Sequence, residues 1–186
     1  MIGGEGPATA SWMVASHWIE YVQQYGALCF QLGHRFHGQS RPTADMSVEN
    51  VQYLSSEQEL ADIASFSAAM TEKHALPEGT KVQMGGVRRL VPGHPGTAWY
   101  RLKYLHMVHA RSVHQRAAAR QNRLPGSVPG GKYDQSSVDA AVAATNAKYG
   151  GRDLATSRVM LVNGSIDPWH AMGVIVSSDP ALPAVY

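Results

Sequence analysis

Strand-like and helix-like segments alternate along this chain, and the alternation limits the folds that it can adopt. The strand patterns are short apolar runs bounded by turn residues, and they cover residues 1–2, 27–30, 81–84 and 158–162. The helix patterns place apolar residues three and four positions apart, and they cover residues 11–25, 47–70 (in two pieces), 99–109 and 138–148. Strands that alternate with helices predict an α/β sandwich with a mainly parallel sheet.

Two local signals sharpen this prediction. Ser56 followed by Glu59 predicts a capping box at the start of a helix, and Leu60, Ile63 and Ala64 are predicted to form its inward-facing stripe. The single cysteine, Cys29, lies in an apolar run. It is interpreted as a buried structural thiol, and one cysteine excludes an intrachain disulfide.

Composition excludes several functional classes. The chain has 186 residues, of which 44% are hydrophobic and 16% are charged, which suits one globular domain and argues against wholesale disorder. The net charge is +2 and the charges are interspersed, so no nucleic-acid or membrane partner is predicted; the basic run 111–123 is interpreted as a solvated loop. The N-terminus lacks the features of a signal peptide, so the chain as written is expected in the cytosol.

Nine histidines raise the question of a metal site. His34 and His37 are three residues apart, as are His106 and His109, with His114 beyond them. A zinc site needs three or four convergent ligands, and neither a cysteine cluster nor a His-Glu-x-x-His motif accompanies these pairs. No metal and no other cofactor is therefore predicted.

Four stretches together resemble a known family. They are Ile2-Gly-Gly-Glu-Gly-Pro7, Gly26-Ala-Leu28 with His34-Arg-Phe-His-Gly-Gln-Ser-Arg-Pro-Thr43, Tyr53-Leu-Ser-Ser-Glu-Gln58 with Ala61-Asp62, and Asn163-Gly-Ser-Ile-Asp-Pro-Trp-His170. The stretches resemble the Pro-X carboxypeptidase and dipeptidyl-peptidase II family of serine exopeptidases, and most closely its thymus-specific serine protease branch. Two departures stand out, since the family has Glu at the position of Gly33 and an aromatic residue at that of His37.

The resemblance implies a fold and a class of partner. The family is similar to α/β-hydrolases with a helical cap domain, so the chain is expected to form an incomplete α/β-hydrolase core. Residues 1–110 and 136–186 would be two parts of this core, while the irregular segment 111–135 would replace a cap that is largely missing. Substrates would be proline-containing peptides, the intact protein would be lysosomal, endosomal or secreted, and a dimer is compatible with the family.

The resemblance also assigns site residues. The family uses a Ser-Asp-His triad, and Asp167 corresponds to its acid, while Gly3, Gly4, Glu5 and Gly6 would supply the backbone on the oxyanion side. From the residues alone, Asp167 is equally explained as a turn-forming aspartate before a proline, and the glycines as a tight turn.

The nucleophile of that triad is absent from the sequence. The family motif Gly-Gly-Ser-Tyr-Pro-Gly is expected between Val82 and Trp99, yet no serine occurs between Ser67 and Ser112, and Thr97 is the one hydroxyl nearby. The triad histidine is expected shortly after residues 182–185, where the sequence ends. The chain is therefore predicted to be inactive.

A shifted reading frame is our hypothesis for the missing motif. Residues 89–96 can be encoded by codons that, read one base later, give Gly-Ser-Tyr-Pro-Gly-Thr-Leu. Residues 112–124 can likewise be encoded by codons that, read one base later, resemble the family's stretch after the nucleophile helix. We therefore expect the nucleophile region and residues 111–135 to be translated out of frame. Two rival hypotheses are a pseudoenzyme that binds peptides or partners without catalysis, and a chain that forms no stable protein.

Overall fold

A four-stranded sheet forms the centre of the molecule. The computed structural model describes residues 1–3, 6–14, 18–85, 96–113, 134–166, 170 and 173–186. Its strands are β1 (Gln83–Gly85), β2 (Ala110–Val113), β3 (Val159–Val162) and β4 (Ala184–Val185). They lie side by side in chain order, and every neighbouring pair is parallel. The predicted α/β class with a mainly parallel sheet is thus confirmed.

Four α-helices accompany this sheet in the described part of the chain. The α-helices are α1 (Trp18–Tyr25), α2 (Ser56–Lys73), α3 (Gly96–Lys103) and α4 (Gln135–Tyr149), and short 3-10 helices cover Ala10–Met13, Val51–Tyr53 and Leu105–Met107. Parallel strands need crossover connections, and α3 and α4 lie in the crossovers from β1 to β2 and from β2 to β3.

The start of α2 corrects one prediction and confirms another. Its N-cap is Ser55, whose hydroxyl accepts a hydrogen bond from the Gln58 backbone N–H at 3.3 Å, so the capping box predicted from Ser56 was placed one residue late. Leu60 and Ile63 are fully buried and Ala64 packs against the core, as the helical spacing predicted.

The core lies between α2, α3 and the sheet. Tyr100 of α3 is completely buried, as are Leu60 of α2 and Val159 of β3. Trp99 stacks on Tyr149, the last residue of α4, with ring centroids 3.9 Å apart and planes 7° from parallel. Consecutive residues of α3 therefore contact the helices on either side and the sheet.

A buried arginine fastens the end of α3 to the strands. The Arg101 guanidinium is only 7% exposed and donates hydrogen bonds to the carbonyl oxygens of Leu105, Val108 and Ser157. Val108 precedes β2 and Ser157 precedes β3. Arg101 therefore connects α3 to the amino ends of both strands without a carboxylate partner in the described part of the chain.

Several other predictions need correction. Residues 27–30 form no strand, because the extended segment 1–3 meets the chain two residues further on, where Ile2 bridges to Leu32. Cys29 lies beside this bridge and is partly exposed rather than buried.

The remaining boundaries were shifted by tertiary contacts. The helix predicted over 99–109 ends at Lys103, and a separate 3-10 turn follows, while the helix predicted over 11–25 is a 3-10 turn and α1, with residues 15–17 outside the described part. Residues 111–113, predicted as part of a loop, belong to β2 because β1 and β3 pair with them on both sides. Residues 114–133 of the same segment lie outside the described residues.

Replacing Arg101 should destabilise the protein. Arg101→Met would leave three carbonyl oxygens without their donor, so we expect the free energy of unfolding to fall by about 2–4 kcal/mol in urea denaturation. Arg41→Met is the control, because Arg41 is exposed and makes one long hydrogen bond of 3.4 Å to the Gly38 carbonyl oxygen. Equal losses for the two variants would contradict the anchoring role of Arg101.

Candidate active site

The carboxyl ends of β1, β3 and β4 lie at the same edge of the parallel sheet. In parallel α/β sheets, binding and catalytic sites lie beyond this edge. β1 ends at Gly85, immediately before residues 86–95; β3 ends at Val162, five positions before Asp167; and β4 ends at Val185. Asp167 and residues 86–95 lie outside the described residues, so the predicted role of Asp167 stays a prediction.

Asn163 anchors both ends of the segment that contains Asp167 in the sequence. Its backbone N–H donates to the Val185 carbonyl oxygen at 2.7 Å, which joins it to β4. Its side-chain Nδ2 donates to the Val174 carbonyl oxygen at 2.8 Å, eleven residues further along. The side-chain amide of Asn163, the first residue of the sequon Asn163-Gly-Ser165, is therefore hydrogen-bonded within the protein.

The end of the same segment is close to the chain terminus. The His170 carbonyl oxygen accepts a hydrogen bond from the Gly173 N–H at 2.9 Å, and the His170 ring lies 5.4 Å from the ring of Tyr186. Tyr186 directly follows β4, so this contact places His170 near the end of that strand.

The predicted oxyanion-side turn is explained sterically at one position. Gly3 donates its N–H to the Leu32 carbonyl oxygen at 2.8 Å, and a Cβ at residue 3 would lie only 3.1 Å from that oxygen. Gly6 has open space on its Cβ side, so nothing there demands glycine. Gly4 and Glu5 lie outside the described residues.

The histidine pair near residue 35 has a structural partner. The rings of His34 and His37 contact each other with centroids 5.1 Å apart, and His34 Nε2 lies 3.4 Å from Glu59 Oε2. The described residues contain no group of three His, Cys, Asp or Glu side chains that could hold a metal ion. In the same part of the chain, no helix has the length and apolar character needed to span a bilayer.

A family profile matches nearly the whole chain. The profile described as serine carboxypeptidase S28 matches residues 1–114 and 125–186. The chain belongs to the serine carboxypeptidase S28 family. The residues omitted from the match, 115–124, lie within the irregular segment 111–135.

Individual relatives agree with this assignment. The chain is 38% identical over 121 residues to the candidate serine protease K12H4.7 of Caenorhabditis elegans, a match that covers 59% of this chain and 21% of the relative. It is 33% identical over 112 residues to the mouse thymus-specific serine protease, covering 59% and 21%. It is 31% identical over 191 residues to pcp-1 of Caenorhabditis elegans, covering 95% and 29%.

These comparisons confirm the predicted family, and thymus-specific serine proteases are among the relatives that match, as predicted. The chain spans between 19% and 29% of the length of the curated relatives that it matches. No solved structure matches the chain.

The Asn163 contact predicts a local effect of substitution. Asn163→Asp would set a carboxylate against the Val174 carbonyl oxygen, so we expect hydrogen exchange across residues 163–176 to accelerate by about tenfold. Ser165→Ala removes the sequon but keeps the Asn163 amide, and we expect it to exchange like the wild type. Both rates can be measured by mass spectrometry. Faster exchange in Ser165→Ala alone would contradict the anchoring contact.

Proposed function

We propose that this chain is the incomplete α/β-hydrolase core of a serine exopeptidase that has lost its nucleophile. Family membership supports the peptidase origin. The parallel sheet supports the core, because in α/β-hydrolases the triad follows the chain order serine, acid, histidine. The ends of β1, β3 and β4 occur in that order at one sheet edge. Residues 1–110 and 136–186 would form this core, with 111–135 in place of a cap.

In an intact peptidase of this type, the residues would act as follows. A serine after β1 attacks the peptide carbonyl carbon while a histidine takes its hydroxyl proton. Asp167 orients that histidine, and backbone N–H groups of the turn at Gly3 to Gly6 stabilise the oxyanion. The histidine then protonates the leaving amine, and water hydrolyses the acyl-enzyme. The substrates would be proline-containing peptides, and no cofactor takes part.

The sequence after β1 is the observation that carries the proposed inactivity. Residues 86–96 contain no serine, and Thr97 is the first hydroxyl after the strand. In a triad hydrolase, loss of the serine costs about six orders of magnitude in kcat. The chain with this sequence therefore does not turn over peptides, and a role in binding peptides is the second candidate function.

The reading-frame hypothesis offers a natural origin for this loss. Sequencing the transcript across codons 80–135 tests it directly. If those codons encode Gly-Ser-Tyr-Pro-Gly in the shifted frame, the gene specifies a complete motif. If they do not, the frame hypothesis is wrong and the protein itself lacks the serine. The intact product would act in lysosomes or endosomes, or after secretion.

A serine-directed probe tests the inactivity of the chain. We expect no labelling by a fluorophosphonate and no hydrolysis of a fluorogenic X-Pro dipeptide, because no activated serine stands after β1. The mouse thymus-specific serine protease serves as the positive control for labelling. Binding of a proline-containing peptide without turnover, measured by fluorescence anisotropy, would support the second function. Stoichiometric labelling that disappears in Thr97→Ala would contradict the proposal.

The role of Asp167 can be tested in a product that carries both the serine motif and the triad histidine. Asp167→Asn should lower kcat by about four orders of magnitude, because the histidine would lose its orienting carboxylate. Asp179→Asn is the matched control, since Asp179 lies between β3 and β4 but accepts a hydrogen bond from the Ala181 N–H at 2.8 Å. Equal activity in both variants would show that Asp167 is a turn residue.

A further inference from the structure

Two pairs of charged side chains fasten the loop at residues 34–38 to α2. Arg35 binds Asp62 through two hydrogen bonds, from Nε to Oδ2 at 2.6 Å and from Nη2 to Oδ1 at 2.5 Å. His34 Nε2 lies 3.4 Å from Glu59 Oε2, and both side chains are only 7% exposed. We call these four residues, His34, Arg35, Glu59 and Asp62, the α2 clamp.

Arg35 makes further contacts that restrict the loop. Its Nη1 donates to Gln58 Oε1 at 2.8 Å and to the Tyr53 carbonyl oxygen at 3.2 Å. A guanidinium with four hydrogen bonds in different directions has one orientation, which a lysine could not reproduce. The clamp therefore fixes the direction of the loop as well as its distance from α2.

The backbone of this loop is strained. Phe36 has a φ of +66°, a left-handed conformation that bulky residues rarely adopt, and its side chain is only 3% exposed. Its N–H donates to the Ser40 carbonyl oxygen at 2.7 Å. Such conformations persist where surrounding contacts hold them, and two of the clamp residues, His34 and Arg35, immediately precede Phe36.

The other side of the loop contacts the N-terminal segment. Gly38 has a φ of +81°, and a Cβ there would lie 3.1 Å from the Pro7 Cα. A Cβ at Gly33 would lie 3.4 Å from the Ala8 Cβ, and Gly3 is already held against Leu32. Residues on both sides of the Gly3–Pro7 turn thus rest on the segment that the clamp holds.

We propose that His34 and Arg35 are positioning residues, which act through the 34–38 loop and the α2 clamp to hold Gly3, Pro7 and Ala8, the described residues at the two ends of the turn predicted from the sequence. The importance of this for catalysis or peptide binding rests on the proposed function, in which the turn forms the oxyanion side. The mechanical link from α2 to the turn does not depend on that function.

One member of the clamp makes this hold sensitive to pH. Burial opposes the charged form of His34, but hydrogen bonds to Glu59 and to the Arg35 carbonyl oxygen, with the charges of Glu59 and Asp62, raise its pKa above 6.5. The ring of His34 also contacts that of His37. A raised pKa gives stabilisation that is complete below pH 6.5 and is lost as the pH rises through the folded value.

The other cation of the clamp keeps its charge in this range. A hydrogen bond to Asp62 raises the pKa of Arg35, so its guanidinium stays charged. The contribution of the His34–Glu59 pair should therefore weaken as the pH rises through the folded pKa of His34, while Arg35 remains a cation.

Hydrogen exchange of the peptide covering residues 1–10 tests the proposal. After correction for intrinsic rates, its exchange should be about three- to tenfold faster in Asp62→Asn than in the wild type at pH 6, because a bidentate pair is lost. Glu59→Gln should accelerate exchange at pH 6 and abolish the difference between pH 6 and pH 8 that the wild type shows. Glu57→Gln is the matched control, because Glu57 lies on the same helix as Glu59 and Asp62 but pairs with the exposed Lys148 of α4.

The outcomes separate positioning from general stability. In Asp62→Asn and Glu59→Gln, faster exchange confined to residues 1–10 and 32–40 supports the proposal. Equal acceleration in the α4 peptide overturns it, and so does exchange of residues 1–10 at the rate seen in Glu57→Gln. If Glu59→Gln does not fold, the pH dependence of the wild-type peptide relative to that of α4 decides. This experiment measures hydrogen exchange and not turnover, so its result does not depend on the outcome of the peptidase assay. Likewise, a negative result here would not affect the proposed role of Asp167.

Discussion

The buried face of α3 is the contact on which the rest of the fold depends. Tyr100 is completely buried, Trp99 stacks on the end of α4, and Arg101 reaches the carbonyl oxygens that precede β2 and β3. Parallel strands have no tight turn to set their alignment, so a crossover helix must do so. With the amino ends of β2 and β3 tied to one helix, their carboxyl ends are brought to a common edge.

The elements that were predicted correctly are those whose information is local. The spacing of Leu60 and Ile63 identified the inner face of α2, and the apolar run at 159–162 identified β3. The strand status of 111–113 was missed because it depends on pairing with β1 and β3, which are distant in the sequence. The exposure of Cys29 was missed for the same reason, since it depends on where segment 1–3 pairs.

The candidate site divides in the same way. The site roles of Asp167 and the glycines are predictions from resemblance, and among the described glycines of that turn the structure adds a steric reason for glycine at Gly3. The α2 clamp left no signal that could be read along the chain, because Arg35 and Asp62 are separated by 27 positions and such pairs look like ordinary surface charges. Ion pairs between distant segments become visible only when a structure brings them together.

Two kinds of anchor therefore act at different places in the molecule. Arg101 is held by backbone carbonyl oxygens, which do not titrate. His34 is held by a carboxylate and has a raised pKa, so its hold on the 34–38 loop weakens as the pH rises through that folded value. A rise in pH would then loosen this loop while the carbonyl oxygens that hold Arg101 are unchanged. This separation also explains how the sheet can persist without a serine after β1, because the residues that carry the fold are not those that would carry the chemistry.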